Sequence, residues 1–155
     1  MSTSEPTAEA VFNNPFGTRI TPDEVIDTIS FFDDWEERYR YIIDLGKQLP
    51  EFPQSLKNEE LLVRGCQSQV WLLAREDQPN SIVQLAVDSD ALIVRGLAAI
   101  VLAAYNGKSS RDILAFDIEH YFDQIDLLKH LSPTRGNGLR SMVKKIQLHA
   151  ENMSR

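Results

Sequence analysis

The segment with the most chemical promise is Arg64-Gly65-Cys66-Gln67-Ser68-Gln69, which holds the only cysteine of the 155-residue chain. A cysteine thiolate is a nucleophile whose reactivity follows its pKa and access. The surroundings are polar and contain a glycine, unlike an apolar core run. Gly65 permits a bend that presents the sulfur at a loop tip. Arg64 favours a thiolate if the loop folds it inward. Gln67, Ser68 and Gln69 bring donors for an anionic sulfur. Against this stands the ordinary fate of a lone cysteine, a small buried hydrophobe. Local sequence alone leaves both readings open. Solitude narrows the chemistry, because a second thiol nearby would resolve a persulfide into a disulfide. A single cysteine therefore suits a relay thiol better than a dithiol oxidoreductase.

Other candidate groups are weaker. Asp88 and Asp90 form an i, i+2 carboxylate pair that suits a divalent cation, a basic partner, or plain N-capping of the helix that follows. Arg135 sits in Ser132-Pro133-Thr134-Arg135-Gly136-Asn137-Gly138, read as a loop, where a guanidinium can hold a carboxylate or a thiolate. The alternative is a plain connection with an exposed Arg. His120, His130 and His149 fall in no metal-ligand spacing, so no metal is expected. A Gly-x-Ser-x-Gly elbow, a Walker loop and a dinucleotide fingerprint are all absent.

The elements that must position Cys66 read as follows. Thr21-Pro22-Asp23-Glu24 signals a helix start, with a helix to about Phe32. Asp33 or Asp34 caps a second helix, in which Trp35, Tyr39, Ile42, Ile43 and Gly46 share a face and Glu36 can pair with Arg40. Pro50 and Pro53 end it, and a helical piece is expected near Ser55 to Leu62. Gln69 to Arg75 and Ile82 to Val87 read as an antiparallel hairpin around turn residues Gln78 to Ser81. A two-stranded ribbon is marginal, so a third strand is expected, placed near Leu61 to Arg64. Asp88-Ser89-Asp90 offers caps for a helix from Ala91 to Tyr105, apolar nearly all round and so buried. Gly96 inside it implies a close packing contact. Short helices follow Ser109 or Ser110 and Asp117, with helical structure over Leu127 to Leu131. A last amphipathic helix carries Leu139, Met142, Val143, Ile146 and Ala150.

Bulk properties bound the class. The length suggests one domain over residues 1–155, with 1–12 read as disordered from their small, polar composition. A net charge of −7 argues against nucleic acid and against anionic membrane surfaces. No secretory signal is evident, and the apolar stretch from Ala91 to Tyr105 is too short to span a bilayer. A soluble, cytoplasmic protein is expected.

Several motifs together resemble one family. Gly65-Cys66-Gln67-Ser68-Gln69-Val70-Trp71 resembles the active-cysteine segment of the SufE family of sulfur acceptors. Trp35 to Gly46 with Leu49-Pro50 is similar to its N-terminal helix. Asp88-Ser89-Asp90-Ala91 with Ile93-Val94-Arg95-Gly96-Leu97 is similar to its central segment. Phe116-Asp117, His130 to Arg135 and Gly138-Leu139 are similar to its C-terminal part. The likeness runs in order from about residue 30 to 150. Asn14-Pro15-Phe16-Gly17-Thr18 resembles the CsdE branch, while the segment around Cys66 resembles SufE itself.

The resemblance implies an α+β fold, a small antiparallel sheet of about three strands packed with helices, similar to IscU-type scaffolds. It implies that Cys66 takes sulfane sulfur as a persulfide from a cysteine desulfurase, SufS- or CsdA-like. It also implies that the chain stimulates that enzyme and passes sulfur to an Fe–S scaffold protein. No cofactor is implied for this chain, since pyridoxal phosphate (PLP) belongs to the desulfurase. Cys66 carries over as the persulfide site, with Gly65 and Gln67 in its motif. Arg135 and Asp88 carry over as positions near the active loop. The chain is expected as a monomer or homodimer. A regulatory module that binds a desulfurase and a thiol redox sensor remain as alternatives.

Overall fold

The computed structural model describes residues 9–77 and 81–153. Helix α1 (Pro22–Phe31) starts where its signal predicts: Pro22 takes the first position and Thr21 Oγ1 accepts from the Glu24 N–H at 3.3 Å. Asp34 caps helix α2 (Trp35–Gly46) by accepting from the Glu37 N–H at 2.9 Å. Glu36 and Arg40 pair at 3.5 Å on its solvent face, a contact that contributes little. The helix expected near Ser55 to Leu62 is only a 3-10 turn over Gln54–Leu56.

Strands β1 (Val70–Asp77) and β2 (Ile82–Ser89) pair antiparallel from Val70↔Ser89 to Asp77↔Ile82. Residues 78–80 of the expected turn lie outside the described residues. The third strand is not Leu61 to Arg64. It is β3 (Lys108–Ser109), which pairs with Ile82 and Val83 on β2. A two-residue strand carries no alternation to read, and the turn through Asn106 and Gly107 delivers it to β2. The Leu61 to Arg64 segment flanks the other edge of β1 with a single bridge, Leu62 to Trp71.

Period-2 alternation gives the sheet two covered faces. Val70, Leu72, Val83, Leu85 and Val87 join the main core, while Trp71 and Ala86 join a smaller cluster with Val11 and Phe52. The smaller cluster corrects the expectation of disorder only for residues 9–12. Ala10–Phe12 form a 3-10 turn with Val11 fully buried, and Glu9 pairs with Arg75 at 2.8 Å. Residues 1–8 of that stretch lie outside the described residues.

Helix α3 (Leu92–Tyr105) crosses the main core and is buried from Gly96 to Tyr105. A Cβ on Gly96 would overlap the Ile42 carbonyl, so α2 and α3 touch backbone to backbone. None of Asp88, Ser89 and Asp90 caps α3. Its N-cap is Ala91, which makes no side-chain cap bond, because pairing with β1 extends β2 through Asp88 and Ser89. Ser109 and Asp117 cap helices α4 (Ser110–Ala115) and α5 (Ile118–Gln124). A 3-10 turn spans Leu128–His130.

Helix α6 (Pro133–Met153) begins earlier than expected and absorbs the predicted loop at Ser132 to Gly138. Pro133 suits a first turn, and Ser132 Oγ accepts from the Arg135 N–H at 3.2 Å. Gly136 and Gly138 are buried, so tertiary packing outweighs their weak helix propensity. The result is an α+β architecture with a three-stranded antiparallel sheet, β1-β2-β3, packed with helices. Among the described residues, no helix is long and apolar enough to cross a membrane.

Candidate functional site

Cys66 sits in the connection between the Leu62 bridge and β1, pressed against the N-terminal half of α6. Gly65 makes the bend with φ +87, a conformation L side chains rarely adopt. A Cβ there would also lie 2.7 Å from Ser141 Oγ on α6. The bend turns Cys66 toward Gly138, whose missing side chain is what admits it. A Cβ on Gly138 would stand 3.3 Å from Cys66 Sγ and 3.5 Å from its Cα. The Cys66 thiol donates to the Gly138 carbonyl at 3.5 Å. At the far end of the loop, the Gln69 N–H donates to Asp90 Oδ1 at 3.1 Å. The loop thus bends at Gly65 and is clipped at Gln69.

The sulfur borders a cavity of about 30 Å3 between α3 and α6. Val94, Leu97, Leu139 and Met142 supply apolar walls, and the polar residues Gln67, Ser68, Thr134 and Arg135 also line it. That volume exceeds the roughly 10–15 Å3 needed for one water-sized group. Cys66 is half-buried, and burial pushes its thiol above the ordinary cysteine pKa. The resting group is therefore a protonated thiol, a poor nucleophile in place.

The sequence-derived candidates divide. Cys66, Gln67 and Arg135 line one cavity, and Gly65 shapes the loop that enters it. Arg64 does not fold inward. Its side chain is 73% exposed and pairs with Glu59 at 3.8 Å, so it does not favour the thiolate. The Gln69 backbone N–H goes to Asp90, and Gln69 is not among the residues that line the cavity.

Asp88 lies elsewhere. Opposed to Trp71 in the register, it points to the smaller cluster's side of the sheet. It is 2% exposed, and its carboxylate accepts from the Phe52 N–H at 2.9 Å and the Ser89 N–H at 2.8 Å. Arg95 Nε at 3.5 Å and Lys57 Nζ at 3.9 Å supply its countercharge. Arg95 also donates to the Leu49 carbonyl at 2.6 Å. Asp88 therefore ties the segment around Leu49 to Phe52 onto the sheet. Its neighbour Asp90 is the carboxylate that touches the cysteine loop.

The apolar walls carry no signal of their own in the sequence. Val70 and Trp71, the apolar end of the cysteine motif, do not line the cavity. Val94 and Leu97, and Leu139 and Met142, stand three apart on helices, a spacing that registers as core. A cavity wall and a packed core carry the same pattern. Among the described residues no cluster of three or more His, Cys, Asp or Glu is placed to hold a metal ion. His130 stacks on Trp35 at 3.8 Å.

Comparison with known proteins adds independent findings. A family model described as "SufE: Fe-S metabolism associated domain" matches residues 23–150. A SufE-like protein of Rhizobium etli is 51% identical over 131 residues, covering 83% of this chain and 88% of the relative. A SufE-like protein of Rhizobium meliloti is 48% identical over 131 residues, covering 83% of this chain and 94% of the relative. The solution structure of a hypothetical protein from Thermus thermophilus superposes with a TM-score of 0.70 at 17% identity, covering 86% of this chain and 95% of that one. At that identity the likeness speaks to fold alone.

Proposed function

The chain belongs to the SufE family, which is associated with Fe–S metabolism, and on that premise we propose that it is a sulfur carrier loaded at Cys66 by a cysteine desulfurase. The observation that carries this reading is the seat of Cys66. Its loop bends at a positive-φ glycine, and its sulfur faces a small, mostly apolar cavity.

The chemistry is a thiol exchange. The Cys66 thiolate attacks the terminal sulfur of a persulfide on the desulfurase. The donor's S–S bond breaks, and the donor cysteine leaves as a thiolate and takes up the proton that Cys66 gave up. Cys66 becomes a persulfide, and no external oxidant or reductant is consumed. A second exchange hands the sulfur to an Fe–S scaffold protein.

Burial that keeps the thiol protonated suppresses attack while the loop is seated. Reaching another protein's active site requires the loop to swing out about Gly65, where water and the partner's groups restore the thiolate. After transfer, the loop reseats and the outer sulfur enters the cavity lined by Val94, Leu97, Leu139 and Met142, away from soluble reductants. Arg135, which lines the same cavity, meets the negative charge of the persulfide. PLP stays with the desulfurase, and this chain works in the cytoplasm without a cofactor of its own.

The test is intact mass after incubation with a desulfurase and cysteine. Wild type gains one sulfur and Cys66→Ser gains none. An unchanged wild-type mass beside an active desulfurase overturns the proposal.

A further inference from the structure

A second concavity lies on the other side of the cysteine loop, between Val63 and Arg64 and the C-terminal half of α6. Its volume is about 440 Å3, within the size of ligand clefts. Its charge is opposite to that of the molecule. The chain carries −7 overall, yet Arg64, Lys144 and Lys145 line this groove with His149, and among the described residues no carboxylate does. Among the described residues, three Lys and Arg side chains thus converge here.

The floor is apolar. Val63 is buried, while Leu148 is 52% exposed, one of few large hydrophobics left open to solvent. Lys145 Nζ donates to the Leu62 carbonyl at 3.3 Å, which leaves its charge beside the groove. Glu59 meets Arg64 only at 3.8 Å, with both groups largely solvent-exposed, a pairing easily exchanged for another carboxylate. A basic rim around an exposed leucine fits an extended peptide that alternates carboxylates with an apolar side chain.

The groove is also continuous with the reactive loop. Arg64 lies two residues before Cys66, and Ser141, which also lines the groove, sits beneath Gly65. A chain held there lies against the pivot from which Cys66 must swing. We propose that this groove docks an acidic segment of the sulfur-donating desulfurase, which aligns the partner with the Cys66 loop. The inference rests on the sulfur-carrier reading and specifies the surface through which it operates. Electrostatic docking of this kind raises the encounter rate and fixes register.

The test separates docking from chemistry. Lys144→Glu with Leu148→Glu reverses one charge and removes the exposed leucine, both on the solvent face of α6. Arg40→Glu, the same charge reversal on α2 away from the groove, is the control. Binding of each protein to the organism's cysteine desulfurases is measured by calorimetry, and sulfur loading of Cys66 from glutathione persulfide is followed by mass. The double variant weakens binding about tenfold or more, loads from glutathione persulfide at the wild-type rate, and keeps the wild-type melting temperature. Arg40→Glu binds as wild type does. Unchanged binding by the double variant overturns the groove, as does an equal loss with Arg40→Glu. A double variant that also loads poorly from glutathione persulfide has a damaged Cys66 seat, and that too overturns it. Wild type that loads from glutathione persulfide yet binds no desulfurase defeats the carrier reading, and the groove with it.

Discussion

Gly138→Ala is the sharpest perturbation of the cysteine seat. The added methyl would stand 3.3 Å from Sγ and 3.5 Å from the Cys66 Cα, the first shorter than the roughly 3.5–4.0 Å optimum for packed heavy atoms and the second at its lower limit. The loop must yield by a few tenths of an ångström, which weakens the thiol's contact with the Gly138 carbonyl. Losing a weak hydrogen bond and part of a half-buried contact costs about 1 kcal/mol. That raises the population of the unseated loop about fivefold. The helix itself gains about 0.5–1 kcal/mol from replacing glycine. Gly136→Ala is the matched control: it brings the same helix gain, and its Cβ meets only Leu128 Cδ2 at 3.9 Å, an ordinary contact. The assay is the rate of Cys66 alkylation by iodoacetamide at fixed pH, with melting temperature alongside. Gly138→Ala alkylates about fivefold faster than wild type and Gly136→Ala at the wild-type rate. Equal rates in the two variants refute the idea that Gly138 seats the thiol.

Gly96→Ala, despite better helix propensity, lowers stability in urea by about 1–3 kcal/mol, because its methyl drives α3 off the Ile42 carbonyl. Asp88→Ala leaves Arg95 and Lys57 without their buried countercharge and costs about 3–5 kcal/mol. The Cys66 alkylation rate of the folded protein stays unchanged, since Asp88 does not line that cavity. Burial first and Lys145 second hold the His149 pKa below its usual range. The unfolded chain therefore binds that proton more readily, and this contribution to stability is present above the ordinary histidine pKa of about 6.5 and lost as pH falls through the depressed one. His149→Gln flattens that part of the melting-temperature profile on acidification; an unchanged slope contradicts it.

Local signals were legible where local physics decides. Thr21-Pro22-Asp23-Glu24 and Asp34 announced their helices through caps that need no tertiary partner. The buried apolar helix and the need for a close contact at Gly96 were equally readable. Elements decided by distant partners were not. Gly136 and Gly138 read as loop because glycine is a weak helix former, and only the cysteine packed against Gly138 explains its place in α6. Lys108 and Ser109 became a strand through pairing alone. In the candidate site, the Cys66 segment stood out in the sequence by its polar context and its resemblance to a known motif, and the structure places it against a cavity. The outward turn of Arg64, the roles of Asp88 and Asp90, and the cavity walls depend on register and packing that no spacing encodes.

The most direct measurement follows the sulfur through one desulfurase turnover with radiolabelled cysteine, then digests this chain and locates the label. The account predicts label on the peptide containing Cys66, released by reductant, and none on the Cys66→Ser variant. Label absent from the wild-type chain, or retained by Cys66→Ser, contradicts it.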